Sequence, residues 1–258
     1  ALTAAEELGE EGMQIADNCK NTIPVLMNSI AKDYIKAEQF DAALEQLNKT
    51  IEVAESYGNA DVVEDAKTLI PQVLMSKAGD MLNAKNFAGA AETYQQVVAA
   101  DTTNGMAALR LGMALASQGK AAEAENAFLQ AAANGQEANA NKQLSNMYVK
   151  LAQAASKAKK YQETVDYAAK SNQYLENANA YRFAASASQQ LGNNNDVITY
   201  YEKYLELSPN AKDFGGVVYT LAVLNQQSGN TAKAKEYYQK ITGDPQYGVA
   251  AQEFLKNN

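Results

Sequence analysis

The chain contains no histidine, no tryptophan, one cysteine and only four prolines in 258 residues. Without histidine the commonest general base and the commonest metal ligand are missing, and no Ser-His-Asp or Cys-His arrangement can be assembled. A single thiol, Cys19, closes no internal disulfide and builds no zinc site. Its apolar helical register reads as a buried, inert side chain rather than a reactive one. No apolar run approaches the roughly 18 residues of a membrane-spanning helix. Neither of the glycine-rich phosphate signatures, GxxxxGK[ST] or GxGxxG, occurs. Paired carboxylates, which could in principle hydrolyse glycosides, stand at Glu6/Glu7, Glu10/Glu11 and Glu64/Asp65, on acidic helix faces that read as solvated. These absences argue against an enzyme and leave no role for a cofactor or metal.

What is present favours helix. Scarce proline and a supply of Ala, Gln, Glu, Lys and Leu suit helical backbone, and Val and Ile never form clean alternating runs, so strands are not expected. Hydrophobic residues make up 47% of the chain, enough for a sizeable core. The net charge is −8, which speaks against nucleic acid as a partner, since phosphate binding wants a basic face. The acid is uneven: residues 1–65 hold 14 Asp/Glu against 4 Lys, and residues 66–258 hold 16 Asp/Glu against 18 Lys/Arg. The acidic end has two readings, a docking surface for something basic and a solvated face kept soluble by charge.

Residues 111–132, LGMALASQGKAAEAENAFLQAA, carry glycine at Gly112 and Gly119 inside an otherwise helical run. Each interior glycine costs a helix about 1 kcal/mol relative to alanine, so each needs a reason. Self-similarity supplies it. Gly119 has equivalents at Gly192 and Gly229. Seven residues before each stands a small residue (Gly112, Ala185, Ala222), five after stands Ala124, Val197 or Ala234, and nine after an aromatic (Phe128, Tyr201, Tyr238). Two more units fit without the glycine, on Ala31, Phe40, Ala43 and Leu47, and on Ala78, Phe87, Ala90 and Tyr94. A weaker one carries Ala152, Tyr161, Thr164 and Ala168. The pattern predicts helix–turn–helix units. Gly119 sits in the turn, and Gly112 faces its partner helix, where Phe128 fills the space left open.

The spacing and the small and large positions resemble the tetratricopeptide repeat, a helix–turn–helix of 34 residues. The usual tryptophan is replaced by Met27, Leu74, Ala108, Tyr148, Tyr181 and Val218, and the closing proline is clear only at Pro209. The resemblance implies an all-α, right-handed superhelical solenoid of antiparallel helix pairs. One solenoid would fill residues 1–258, with six repeats near 24–57, 71–104, 105–138, 145–177, 178–211 and 215–244 and a capping helix over 245–258. Residues 1–22 would hold the end of an earlier helix and an extension of the first one, as though a repeat lay upstream. Apolar positions continue through Pro24 (Ile15, Cys19, Ile23, Leu26, Ile30) and Pro71 (Val62, Ala66, Ile70, Val73). These suit long helices kinked at proline; the alternative is a short helix that ends before each proline.

The same resemblance implies a non-enzymatic scaffold that binds a protein or peptide along the first helices. A stripe at helical spacing marks Asn28, Lys32, Met75, Met106, Leu109 and Met113 as one set of candidates, and Val149, Gln153, Arg182, Ser186, Gln189 and Tyr219 as another. The methionines could offer adaptable apolar contacts or could instead pack against neighbouring helices. A carboxylate clamp known in the family is incomplete: Arg110 holds one clamp-like place, but Asn28, Lys32, Gly79 and Met106 stand where the clamp would want Lys and Asn. A glycan or small-molecule module, or a structural segment of a larger envelope protein, are alternative functions. Abundant Asn and Gln, the start at Ala1 and the loose consensus are more similar to bacterial cell-envelope members, so a periplasmic or envelope location is expected, with the cytoplasm as the alternative.

Overall fold

A computed structural model describes residues 1–257, and among these every regular element is helical. The chain divides into two compact units, residues 1–137 and 138–258. Unit 1 runs through α1 (Leu2–Glu7), α2 (Met13–Lys36), α3 (Phe40–Ser56), α4 (Ala60–Asn83), α5 (Phe87–Ala100), α6 (Gly105–Ser117) and α7 (Ala121–Ala131). α8 (Glu137–Lys157) starts at the division. Unit 2 continues with α9 (Tyr161–Tyr174), α10 (Ala178–Leu191), α11 (Asn194–Leu207), α12 (Phe214–Gln227), α13 (Thr231–Lys240) and α14 (Gly248–Asn257). In each unit consecutive helices pack on one another.

Small residues set how closely the helices of a pair approach. Ala31, Ala78, Ala152, Ala185 and Ala222 on the first helices are fully buried, as are Ala43, Ala90, Ala124, Thr164, Val197 and Ala234 on the second. Gly112 belongs to the same series. A Cβ built there would lie 2.6 Å from two ring carbons of Phe128, which is itself 1% exposed. The helix–propensity cost of Gly112 therefore stands against the packing of a whole aromatic ring. The large position is filled by buried Tyr94, Phe128 and Tyr238, whereas Tyr201 is only half-buried and Tyr204, one turn later, is the buried tyrosine of α11.

The turns share one backbone solution. A left-handed residue follows α2, α4, α6, α8, α10 and α12: Glu38, Lys85, Gly119, Lys159, Gly192 and Gly229, all with φ between 58 and 78°. The next residue's N–H then bonds back to a carbonyl five residues earlier, as in Gln39 to Tyr34 (2.9 Å), Lys120 to Leu115 (3.1 Å) and Asn230 to Asn225 (2.8 Å). This is the Schellman closure, and glycine suits it because it has no Cβ to crowd the following carbonyl. Three turns place a Glu or Lys there instead. Replacing Glu38, Lys85 and Lys159 by glycine relieves about 1 kcal/mol of strain at each, partly offset by the greater freedom of the unfolded chain. The triple variant is expected to resist urea more than the parent, and a lower urea midpoint would refute this reading of the turns.

α2 and α4 are each 24 residues long and continuous through Pro24 and Pro71. Of the two readings left open by the sequence, the long helix is the one the structure adopts. Each proline removes one backbone bond, but Pro24 is fully buried, and packing overrides the local preference. The tail also folds back on its own unit. Tyr247 stacks on Tyr219 with ring centroids 4.7 Å apart, and Phe254 meets Tyr238 at 4.4 Å. Gly215 permits this: a Cβ there would lie 2.0 Å from the Asp244 carboxylate.

Candidate functional site

In unit 1 the stripe residues come from α2, α4 and α6. Asn28 is 5% exposed and donates from Nδ2 to Asp65 Oδ2 at 2.6 Å, and the Lys32 ammonium reaches the same oxygen at 2.6 Å. The hydrogen bond from Lys32 is the largest reason that the Asp65 carboxyl sits below its ordinary pKa, and burial works the other way. Asp65, read from sequence as part of a solvated acidic pair, thus ties α2 to α4. Met106 is 40% exposed, Met75 and Met113 are half-buried, and Leu109 is buried. Two of the six candidates, Asn28 and Leu109, therefore present no free side chain. Cys19, expected to be buried, is half-exposed.

In unit 2 the stripe comes from α8, α10 and α12. Val149 is half-buried and Gln153 is exposed. Along α10, Arg182, Ser186 and Gln189 are all exposed, spaced by four and three residues, so they share one helix face. Arg182 Nη1 lies 3.2 Å from Asp213 Oδ2, and the other oxygen of Asp213 accepts from the Tyr204 hydroxyl at 2.7 Å. Burial works to raise the pKa of Asp213, but the hydrogen bonds from Tyr204 and Arg182 outweigh it and hold it low. Tyr219 has one face of its ring taken by Tyr247, so the tail already occupies that candidate position.

Two concavities lie elsewhere, each between successive second helices. One runs between α5 and α7, with Glu92, Gln95, Gln118, Lys120 and Glu123 around Leu115. Another, between α11 and α13, has Leu205, Pro209 and Phe214 in its wall beside Glu202, Tyr237 and Lys240. Glu202 takes hydrogen bonds from Lys233 (2.7 Å) and Tyr237 (2.6 Å); burial opposes its ionisation, and the two donors overcome this. Sequence reasoning missed both hollows because it followed the first-helix face. Asp213 and Glu202, which order the polar groups of unit 2, were missed as well. The one available signal was a lone acid beside tyrosine-rich helices.

Among the described residues no three Cys, Asp or Glu side chains are grouped so as to hold a metal ion. No described helix is long and apolar enough to cross a membrane.

A family model, described as tetratricopeptide repeat, matches residues 178–211 and 216–243, the segments holding α10–α11 and α12–α13. These two segments are tetratricopeptide repeats. Such repeats build protein-interaction scaffolds, and their partners are proteins or peptides. No curated protein matches the chain. Among solved structures, one of MamA AMB-1 is 21% identical, covers 69% of this chain and 92% of its own, and has a TM-score of 0.43. A structure of YrrB, described as a TPR protein with an unusual peptide-binding site, is 16% identical over 70% of this chain and 91% of its own, at a TM-score of 0.38. The TPR domain of P58(IPK) is 18% identical over 90% of this chain and 64% of its own, at 0.40.

Proposed function

We propose that this protein is a non-enzymatic scaffold that binds an extended or helical polypeptide along the exposed face of its first helices. The observation that carries the proposal is the row on α10. Arg182, Ser186 and Gln189 stand exposed on one face, and among the described residues no hydrogen bond engages the side chains of Ser186 or Gln189. Hydroxyl and amide groups held on a rigid helix can bond a peptide backbone without first breaking an internal contact. Arg182 adds a charge whose ion pair among the described residues is a surface one with Asp213, worth little to stability. In unit 1, exposed Met106 and half-buried Met113 of α6 offer apolar contacts.

The test is selection of peptides from a displayed random library on the whole protein, followed by anisotropy titration of the selected peptide. Arg182→Gln and Gln189→Ala are expected to weaken binding about tenfold or more, equivalent to at least ~1.4 kcal/mol, with thermal melts little changed. Met106→Glu, in the other unit, gives an independent reading of the apolar positions. Unchanged affinity in all three variants would remove the first-helix face as the site.

A further inference from the structure

Between Glu137 and Glu163 the sequence holds five lysines and no Asp or Glu, in a chain whose net charge is −8. Three of these lysines, Lys142, Lys150 and Lys157, stand on α8. At about 100° per residue they fall within an arc of about 80°, together with Asn146 and Gln153. The side chains of this row are all exposed. The opposite side of α8 is its buried one, where Leu144 is 0%, Tyr148 4% and Ala155 6% exposed. Among the described residues none of the three lysines has an ion pair, and neither amide side chain has a hydrogen bond. Ten other described lysines lie beside a carboxylate, so an unpaired row is not the ordinary state of lysine on this surface. The acids that bracket the stretch leave the row its charge. Glu163 is held by Lys160 at 3.0 Å, and Glu137 opens α8 about 180° from the centre of the row.

We propose that this face of α8 takes an extended acidic segment of a partner protein. The inference rests on the reading that the first helices bind polypeptide, and it adds the charge of the partner and the helix that reads it. From Lys142 to Lys157 the helix rises about 22 Å, the reach of about seven residues of extended chain. Carboxylates of such a segment meet the three ammonium groups, and the amides of Asn146 and Gln153, each both donor and acceptor, bond to its backbone between them. Other anions suit the row less well. A lipid surface calls for Trp, Phe or Leu on the binding face, and this one carries Lys, Asn and Gln. A nucleic acid meets a chain of net charge −8 and finds no aromatic side chain in the row on which to stack a base. A second copy of this chain carries its excess of acid within residues 1–65 on helices rather than on an extended segment.

The probes are two fluorescein-labelled peptides of about eight residues, one alternating Glu with Ser and one alternating Gln with Ser. They are titrated into the whole protein, into Lys142→Gln/Lys150→Gln/Lys157→Gln, and into Lys85→Gln/Lys212→Gln/Lys256→Gln, three exposed lysines on other elements. The two triple variants carry the same net charge, so a difference between them reports the row and not the overall field. The Glu/Ser peptide is expected to bind the parent and the second variant equally, and the α8 variant about tenfold more weakly or worse. Its affinity should fall with added salt, and the Gln/Ser peptide should not bind. Equal binding to both triple variants, or no binding of the Glu/Ser peptide to the parent, would overturn the proposal. So would self-association in sedimentation, phosphatidylserine-vesicle binding or single-stranded oligonucleotide binding that the α8 variant alone abolishes, since each assigns the row to a different occupant. The library-selected peptide keeps this inference separate from the one beneath it. If that peptide binds and answers to Arg182→Gln while the Glu/Ser peptide does not bind, the acidic partner falls alone; if neither binds, both readings fall. Gln and Lys have nearly equal helix propensity and the replaced side chains are exposed, so circular dichroism should show α8 intact in the variant.

Discussion

Truncating Phe128 to alanine is expected to cost about 3–5 kcal/mol of stability. The ring is 1% exposed and fills the gap left open by Gly112. Its removal leaves a cavity against a glycine, which has no side chain to fold into the space. The converse substitution separates two effects that pull in opposite directions. Gly112→Ala gains about 1 kcal/mol of helix propensity, yet its methyl would lie 2.6 Å from two carbons of a ring with nowhere to go. Overpacking of a tight core costs about 1–3 kcal/mol, so packing is expected to win and the variant to be less stable than the parent. Combining Gly112→Ala with Phe128→Leu should recover part of the sum, giving a clear coupling in a double-mutant cycle of urea melts. Additive effects would mean that the two residues do not compete for one space.

That glycine was readable from sequence because the repeat exposes it. A small residue seven places before the turn and a large one nine places after it recur along the chain, and a costly glycine among alanines at such a place has few explanations other than close approach. The long helices were readable for a similar reason, since apolar register continues across Pro24 and Pro71. The turns were readable only in part. Gly119, Gly192 and Gly229 announce positive φ, but Glu38, Lys85 and Lys159 adopt the same conformation with nothing local to favour it. There the packing of two helices on either side dictates the turn, and a residue's own preference is overruled.

The candidate site was less legible, because helical spacing tells which residues share a face but not what will cover that face. Leu109 and Met106 differ by three positions, yet one is buried and the other exposed. Asn28 looks like a free amide in sequence and is buried beneath a contact with Asp65, which comes from a different helix 37 residues away. Tyr219 was assigned to a ligand and is stacked against Tyr247 of the chain's own tail. Conversely, Ile15, Leu26 and Ile30 have the apolar spacing of a core face, and the structure leaves all three exposed. In each case the missing information is long-range: which element arrives, and from where.

Unit 2 should lose stability steeply in alkali, and two tyrosines account for much of the effect. Tyr204 is 7% exposed; burial, followed by the hydrogen bond to Asp213, pushes its pKa up to about 12. Tyr237 is raised as well, again by burial first and then by its bond to Glu202. The unfolded phenol ionises near 10. A group whose pKa is raised by folding contributes its full share of stability below the unfolded value and loses it as pH rises towards the folded one. The share of Tyr204 is therefore intact below about pH 10 and gone by about pH 12, a loss of about 2–3 kcal/mol. Removing the hydroxyl tests this directly. Tyr204→Phe leaves Asp213 with Arg182 as its remaining side-chain donor and should be less stable than the parent at neutral pH by about 1–3 kcal/mol. As pH rises from about 10 to about 12 the two proteins should converge, because the phenol then ionises in the unfolded parent while it stays protonated in the folded one, and the variant has no phenol to ionise. Lysines that deprotonate over the same range act on both proteins and cancel in the difference. Parallel curves of stability against pH would show that the Tyr204–Asp213 contact does not carry the alkaline sensitivity; convergence, with tyrosinate absorbance appearing together with unfolding, would show that it does.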